Sequence, residues 1–486
     1  MSAASSACWM CRCARWMVVG LPCLISWLLG VVSVQGAEIR AWKKAQGEES
    51  YFVDAGNGKW QEMDASGRVQ PFEEFSRQDD QVELIDRARN LKIRLLPTNA
   101  ELSLNGNAYN PWINGEWIDR DSLPEFAQVA PVDHKVRLVY FIPTDREPTN
   151  NYREKIVTVM TFVNGMFQYE FRRRGLPARG LDFQTDDKGV PIVHVVRGKH
   201  PAKYYNGAPN YDDSIQLQTV LPEIPRKIGH ETTHLVVTFM ETYDSGPNAI
   251  EWPGGIARGG WRSADGGTAN FSAWVLQDMF CATNVADQIK LFRDRTPIEG
   301  RVAAGHGKMN SPRSEFIEDG IGAVIHEVGH ALGLPHDQRD PSHYLMGSGF
   351  RRIAVNLSRS APVHRRMRFS DANARILAQS RLLNPKVDRT DNISPELEVD
   401  MEPTTEPNKY TVKLKATDNK GLKAVLYYDD IGMSVADGGD LAGTEDTAEI
   451  ELDLQTDETT KQVRVHVSVI DQGGNITRQV ATWPQS

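Results

Sequence analysis

Three histidines and one glutamate cluster in segment 326–337, which reads His-Glu-Val-Gly-His-Ala-Leu-Gly-Leu-Pro-His-Asp. His326 and His330 are four residues apart, so on a helix their imidazoles project from one face and can bind a single ion. Gly333 can adopt the left-handed conformation that ends a helix, and the proline two residues later prevents its renewal. His336 can therefore return as a third ligand. Three nitrogen ligands leave one tetrahedral position of a zinc ion open for water, as in catalytic zinc sites.

Glu327 lies beside the first ligand, where its carboxylate can reach that water without joining the ligands. Zinc lowers the pKa of bound water to about 7 and polarises a carbonyl, and the carboxylate can pass the proton to a leaving amine. These residues predict hydrolysis of a peptide bond by Glu-assisted attack of zinc-bound water. The alternative is a histidine cluster on an ordinary helix.

The spacing H-E-x-x-H-x-x-G-x-x-H, followed by Asp337, resembles the signature of metzincin zinc peptidases. Metzincins also have a methionine turn beneath the zinc, and Tyr-Leu-Met-Gly after the last histidine resembles it. The resemblance covers residues 132–385. It implies an α+β catalytic domain with a mixed sheet and an active-site helix, and one catalytic zinc ion. The residues implied are His326, His330 and His336 as zinc ligands, Glu327 as catalytic base, and Met346, Gly333 and Asp337 as structural residues near the site.

The metzincin subfamily stays open. Asp337 is similar to the adamalysin-like pattern, whereas His-Ala-Leu-Gly-Leu is similar to that of matrix metalloproteinases. Astacin-like enzymes have a tyrosine two residues after the turn methionine, and this chain has Ser348 there. We expect Tyr344 to be structural, and His343 and His364 to lie outside the ligand set because three ligands are already supplied.

A helix from about Ser314 to Leu332 must position the first two histidines, since one apolar stripe runs along it. Acidic residues, including Glu318, lie near its start, where the helix dipole favours anions. Upstream, apolar runs and helical spacing predict strand, helix and further strands, and thus a mixed sheet with a packed helix. The glycine-rich segment 254–267 predicts a long loop. A last helix is predicted over 370–383, capped by its first serine.

The flanking regions have strand patterns. Residues 37–130 alternate short apolar runs with turns and predict a β-rich N-terminal or pro region, which could be a propeptide, an SH3-like module or a flank of the catalytic domain, residues 131–387. Residues 388–486 predict an immunoglobulin-like β-sandwich. Because residues 390–486 contain no motif of the zinc site, they are expected to be separable from activity on small peptides.

Residues 1–36 combine Arg12 and Arg15 with an apolar run and small residues, which predicts a signal peptide cleaved near Gly36. An uncleaved membrane anchor is the alternative. Cleavage predicts a secreted or extracytoplasmic protein without stable membrane insertion. Four of the five cysteines lie in this leader, so Cys281 is expected to be a buried apolar residue. The net charge of −9 argues against nucleic acid as a partner.

Together these patterns predict a secreted zinc metalloendopeptidase whose partner is a protein or peptide substrate. A second hypothesis is an exported binding or adhesion protein with a structural zinc ion in a degenerate protease fold. Hydrolysis of a non-peptide amide would use the same residues. The sequence does not decide the natural substrate, the oligomeric state or whether calcium is also bound.

Overall fold

The computed structural model describes residues 40–484, apart from 46, 48, 66–67, 87–88, 90, 105, 245–253, 306–307 and 359. The predicted leader, residues 1–36, therefore lies outside the described residues. None of the helices in the described part has the length and hydrophobicity of a membrane span. The strands are β1 Ala41–Lys44, β2 Ser50–Gly56, β3 Lys59–Asp64, β4 Val69–Arg77, β5 Val82–Asp86, β6 Leu91–Leu95, β7 Asn99–Leu104, β8 Asn110–Ile118, β9 Arg137–Ile142, β10 Val193–Arg197, β11 Leu235–Met240, β12 Ala257–Ser263, β13 Gly266–Ser272, β14 Glu396–Pro403, β15 Lys409–Thr417, β16 Leu422–Asp429, β17 Ser434–Asp440, β18 Glu445–Asp453, β19 Val463–Asp471 and β20 Ile476–Trp483. The α-helices are α1 Tyr152–Arg174, α2 Ala202–Asn206, α3 Asp213–Val220, α4 Val285–Leu291, α5 Arg313–Ala331, α6 Ile353–Asn356 and α7 Asp371–Leu377.

The first eight strands form a closed antiparallel barrel, in which β1 pairs with both β2 and β8. Its interior is apolar and includes the buried side chains of Trp42, Phe52 and Trp60. Closure pairs the strands that would otherwise be open edges. The predicted β-rich character of this region is confirmed. The closure of the barrel depends on pairing between residues far apart in the chain. The alternation of apolar and polar residues along one strand does not predict such pairing.

A five-stranded mixed sheet forms the centre of the molecule, with the order β10-β9-β11-β13-β12. Four strands are parallel, and β12 runs antiparallel to β13 at one edge. Side chains alternate between the two faces of the sheet. Leu138 and Tyr140 pack with α1 and α5 on one face, whereas Val139 and Phe141 pack with α2 and α3 on the other. The predicted mixed sheet with a packed helix is confirmed.

The predicted loop over the glycine-rich segment 254–267 is wrong, because β12 and the start of β13 lie there. Gly259, Gly266 and Gly267 lie in these strands and allow close approach between backbones. A Cβ at Gly259 would overlap the carbonyl oxygen of Glu327, and one at Gly267 would overlap that of Ala331. The edge of the sheet therefore lies directly against α5, which a larger residue at either position would prevent.

The predicted active-site helix corresponds to α5, whereas the last predicted helix is shorter than expected. Ser370 caps α7 as predicted, with its Oγ accepting from the Asn373 amide at 3.2 Å. The helix ends at Leu377 and not at residue 383. The Asn384 side chain donates to the carbonyl of Ala378 at 2.7 Å, so a side chain satisfies this helix end and the chain turns.

Burial outweighs the helix dipole at Glu318, in the second turn of α5. Burial raises the pKa of this carboxyl to about 7, although the dipole at a helix start favours the charged form. The amide of Ala354 donates to its Oε1 at 3.0 Å. The sequence indicated an anion here, and the structure favours a carboxyl that takes up a proton near neutral pH.

The C-terminal strands form two antiparallel sheets, ordered β14-β15-β18 and β17-β16-β19-β20. Both sheets contribute to one core, for example through Val412 and Leu414 from the first and Val465 and Val467 from the second. Two sheets that share a core are a β-sandwich. The finer immunoglobulin-like classification stays a prediction.

Arg381 connects the three parts of the described chain. It is 1% exposed, and its Nε donates to the carbonyl of Gly473 in the sandwich at 2.6 Å. Its Nη1 donates to Asp265, between β12 and β13, at 3.0 Å, and its Nη2 donates to the carbonyl of Asp391. Asp265 also pairs with Lys59 of the barrel at 3.4 Å. A buried charge with this many partners constrains the relative position of all three parts.

Candidate metal centre

The three predicted ligands converge in the structure. His326 and His330 project from one face of α5, with their Nε2 atoms 3.1 Å apart. Gly333 ends the helix with φ of +97°, and the amides of Gly333 and Leu334 donate to the carbonyls of the helix's last turn. This turn returns the chain, so that Nε2 of His336 lies 3.1 Å from that of His330.

Backbone carbonyls contact Nδ1 of two of the predicted ligands, on the side of each ring away from the cluster, and fix the ring orientations. Nδ1 of His326 is 2.7 Å from the carbonyl oxygen of Leu345, and Nδ1 of His330 is 2.7 Å from that of Leu334. A carbonyl can only accept, so in both neutral rings the proton is on Nδ1 and Nε2 carries a lone pair. Lone pairs facing each other at 3.1 Å repel unless a cation lies between them. The donor set therefore fits a divalent metal ion bound through nitrogen.

Burial keeps these imidazoles neutral. It lowers the pKa of His326 to about 3 and that of His330 to about 4, and it also lowers the pKa of the less buried His336. A neutral imidazole is the form that binds metal. Near neutral pH these rings therefore do not have to lose a proton before they bind a metal ion.

Glu327 lies next to the cluster, and the edge strand holds its carboxylate. The amide of Gly259 donates to its Oε2 at 2.6 Å. Burial raises the pKa of Glu327 to about 7, and the hydrogen bond from Gly259 opposes that rise. A carboxyl with a pKa near neutrality is suited to accept and return a proton. The role of Gly259 was missed from the sequence, where the Gly259-Gly260 pair was interpreted as loop.

Met346 is fully buried beneath the site. A Cβ at Gly329, between the two helical ligands, would lie 2.6 Å from its Sδ, so the methionine is in close contact with the helix backbone. The carbonyl of Met346 accepts from the amide of Asp337 at 3.0 Å, which connects this turn to the ligand loop. The structure thus places Met346 where a methionine turn was predicted, and its role there remains a prediction.

The other singled-out residues lie around the cluster and not in it. Asp337 is fully buried and pairs through both oxygens with Arg339, at 2.9 and 2.7 Å. His343 pairs with Asp340 at 2.9 Å, and His364 is exposed. Cys281 is buried and its thiol pKa is raised by burial to about 12, as expected for an inert core residue.

Two cavities flank the histidine cluster along β12. One of about 280 Å³ lies beside Glu327 and is lined by Trp274, Phe316 and Phe350 among others. The other, of about 340 Å³, lies beside His330. Its walls come from two parts of the chain: Trp261, Gly333 and Pro335 from the part that contains the central sheet, and Leu426, Tyr428, His466 and Arg478 from the sandwich.

Comparison with known proteins agrees with a peptidase. Residues 278–423 match the Metallopep family model, described as "Putative peptidase family", and this stretch contains the entire ligand segment. No curated protein matches the chain. A structure of catalytically inactive OgpA from Akkermansia muciniphila, in complex with an O-glycopeptide (glycodrosocin) substrate, is 16% identical, with a TM-score of 0.49 over 72% of this chain and 92% of that one. Two structures of wild-type OgpA are 18% identical, with a TM-score of 0.47 over 72% of this chain and 92% or 91% of theirs.

Proposed function

We propose that this chain is a secreted zinc-dependent metalloendopeptidase of the metzincin type. The observation that carries the proposal is the convergence of three Nε2 lone pairs, from His326, His330 and His336, beside a carboxylate held by a backbone amide. A divalent metal ion fits this donor set, and three imidazoles with an open position are typical of catalytic zinc. Export rests on the leader predicted over residues 1–36.

The chemistry divides between the ion and the chain. When bound, zinc supplies a Lewis acid that polarises the scissile carbonyl and makes water more acidic. The Glu327 carboxylate takes a proton from the attacking water, and a C–O bond forms at the carbonyl carbon. Glu327 then returns the proton to the amine nitrogen as the C–N bond breaks. The Gly259 amide keeps the carboxylate in place through both transfers.

The surroundings of the site favour internal cleavage of an extended chain. β12 lies at the edge of the sheet, and within the described residues it pairs only with β13. An extended peptide can add to such an edge as a further strand. Because cavities lie on both sides of the Glu327–His330 region, residues on both sides of the scissile bond have pockets to occupy. This arrangement supports an endopeptidase more than an enzyme that trims ends.

The alternative, a binding protein with a structural zinc ion, is less well supported. A structural site has no use for a buried carboxylate that an amide aims beside the ligands. Hydrolysis of a non-peptide amide would use the same groups. The two hydrolytic functions differ only in what the cavities accept.

The proposal is tested by metal analysis together with digestion of a peptide library. We expect one zinc ion per purified chain after remetallation at neutral pH, and cleavage at internal bonds of library peptides. A chelator should remove both zinc and activity, and added zinc should restore both. Protein that contains zinc but cleaves no peptide would favour the binding-protein alternative, and protein that binds no zinc would exclude both.

The sandwich contacts the ligand loop directly, which the sequence did not indicate. The amide of Val435 donates to the carbonyl of His336 at 2.9 Å, and Arg478 donates to the carbonyl of Gly333 at 3.1 Å. The Arg478 guanidinium also lies 4.2 Å from the centre of the Trp261 ring. These contacts hold both ends of the turn that carries the third ligand. We therefore revise the expectation that the sandwich is separable from activity.

A chain truncated after Val387 should lose activity on short peptides at least tenfold, because the third ligand loses its backbone contact and one cavity loses a wall. In the full-length protein, Arg478→Ala should lower kcat/KM several-fold, because its hydrogen bond to Gly333 and its contact with Trp261 hold the turn that carries the third ligand. Lys413→Ala is the matched control, because this exposed residue lies on β15, in the other sheet of the sandwich, and pairs there with Glu402. A soluble, zinc-containing truncation with wild-type activity would restore the original expectation.

A further inference from the structure

Three aspartates, separate from the histidine cluster, meet where the connector after α7 reaches the sandwich. Asp391 lies in the connector between α7 and β14, Asp418 lies in the turn between β15 and β16, and Asp471 ends β19. One carboxylate oxygen from each lies within 4.8 Å of the other two. Three like charges at this separation repel strongly unless a cation or a proton is present.

Each carboxylate is held in place by hydrogen-bond donors, on one oxygen for Asp391 and Asp418 and on both oxygens for Asp471. Oδ1 of Asp418 accepts from the amides of Lys420 and Gly421, at 2.9 and 2.5 Å. The amide and side chain of Asn475 both donate to Asp471 at 2.8 Å. Oδ1 of Asp391 accepts from the amide of Ile393 and the side chain of Asn419. The cluster is therefore preorganised and not a group of free side chains on the surface.

One oxygen each of Asp391 and Asp418 is buried without a hydrogen-bond partner among the described residues. Asp391 is 1% exposed, and its Oδ2 has no hydrogen-bond donor among the residues that the structure describes. The same holds in the described chain for Oδ2 of Asp418. Lys420 is adjacent, but its ammonium binds Asp388 at 2.8 Å. Leaving a buried carboxylate oxygen unpaired is costly, so these oxygens indicate a ligand that is not part of the chain.

We propose that Asp391, Asp418 and Asp471 bind a calcium ion. Calcium prefers carboxylate and other oxygen ligands at 2.3–2.6 Å, so two oxygens on one ion are at most about 5 Å apart, as in this cluster. The set contains no nitrogen or sulfur, which zinc would prefer. Water and nearby carbonyls would complete the shell of six to eight ligands. Burial, together with the charges of Asp418 and Asp391, raises the pKa of Asp471 to about 6, which agrees with a concentrated negative potential.

The position of this site gives it a structural consequence. The ion joins the connector at Asp391 to two turns of the sandwich. The carbonyls of Asp391 and Gly473 next to it accept from the buried Arg381 of the catalytic part. Calcium would thus fix the sandwich in the orientation that places Val435 against His336. Its binding does not depend on the proposed peptidase activity.

Calorimetric titration of the full-length, zinc-loaded protein with CaCl2 tests the proposal. We expect one site with Kd on the order of 0.1–1 mM, the range of extracellular calcium modules, and a melting temperature that rises with calcium concentration. Asp418→Asn should weaken binding at least tenfold and remove the thermal shift, because it keeps the turn acceptor and replaces the free oxygen by an amide. Asp457→Asn is the matched control, since Asp457 caps an exposed turn in the same sandwich through Thr459 and Thr460.

Circular dichroism and zinc content, measured in each variant, separate loss of calcium binding from misfolding or loss of the histidine-bound metal. Absence of heat and of a thermal shift in the wild-type protein would overturn the proposal whatever the variants do. An unchanged isotherm for Asp418→Asn would also overturn it. Equal affinity for MgCl2 would contradict the assignment to calcium.

Discussion

The Glu327→Gln variant should contain as much zinc as the wild-type protein and have almost no peptidase activity. Glutamine keeps the size of the side chain and can still accept from the Gly259 amide through its carbonyl oxygen. It cannot take a proton from water at neutral pH. A positioned acid–base group contributes roughly 100- to 10,000-fold, and loss of the proposed base should lower kcat by at least the upper part of that range. The measurement is kcat and KM on a peptide found by library digestion, with zinc determined in the same sample.

Glu318→Gln is the matched control. Glu318 lies on the same helix, burial raises its pKa to about 7 as for Glu327, and a backbone amide donates to it. It is two helical turns from the first ligand and does not line either cavity beside the cluster. Its substitution should therefore leave kcat within about twofold of wild type. A Glu327→Gln protein that cleaves at the wild-type rate would refute the mechanism, whereas equal losses in both variants would indicate a general effect of buried charge in α5.

The local part of the site could be predicted from sequence because each step depends on neighbouring residues. Four-residue spacing places His326 and His330 on one helix face, and Gly333 allows the turn that returns His336. These relations involve a few successive residues and hold in almost any context. The structure brings these residues together as the spacing indicates.

The contacts that surround the site could not be predicted, because they join residues far apart in the chain. The Gly259 amide donates to the Glu327 carboxylate, and the two residues are 68 positions apart in the sequence. This contact depends on the sheet edge lying against α5. A glycine pair is typical of turns as well as of close backbone approach, so the pattern alone favoured a loop. Val435 reaches His336 from the sandwich by a backbone amide, which has no side-chain signature at all.

A similar limit applies to the barrel and to the aspartate cluster. Alternation identifies strands, but the pairing of β1 with β8 is set by how the complete sheet closes. Asp418 and Asp471 each lie in a turn pattern that is common without metal, and only the fold brings Asp391 beside them. The sequence therefore predicted the convergence of the three histidines in detail and the surrounding architecture only by class.

The His330→Ala variant should lose both zinc and activity, unlike Glu327→Gln, which should lose activity alone. His330 is central among the three predicted ligands, because its Nε2 lies 3.1 Å from those of His326 and His336. Two remaining imidazoles make a poor zinc site, so zinc content should fall well below one ion per chain and kcat/KM should drop below detection. His364→Ala is the control, since this exposed histidine lies outside the cluster and the variant should retain both zinc and activity.

Full activity in His330→Ala would mean that hydrolysis occurs elsewhere in the protein, and full zinc content without activity would mean that the ion is held by other residues. The pair of variants therefore separates metal binding from proton transfer, which is the distinction between a zinc peptidase and a protein that only binds zinc.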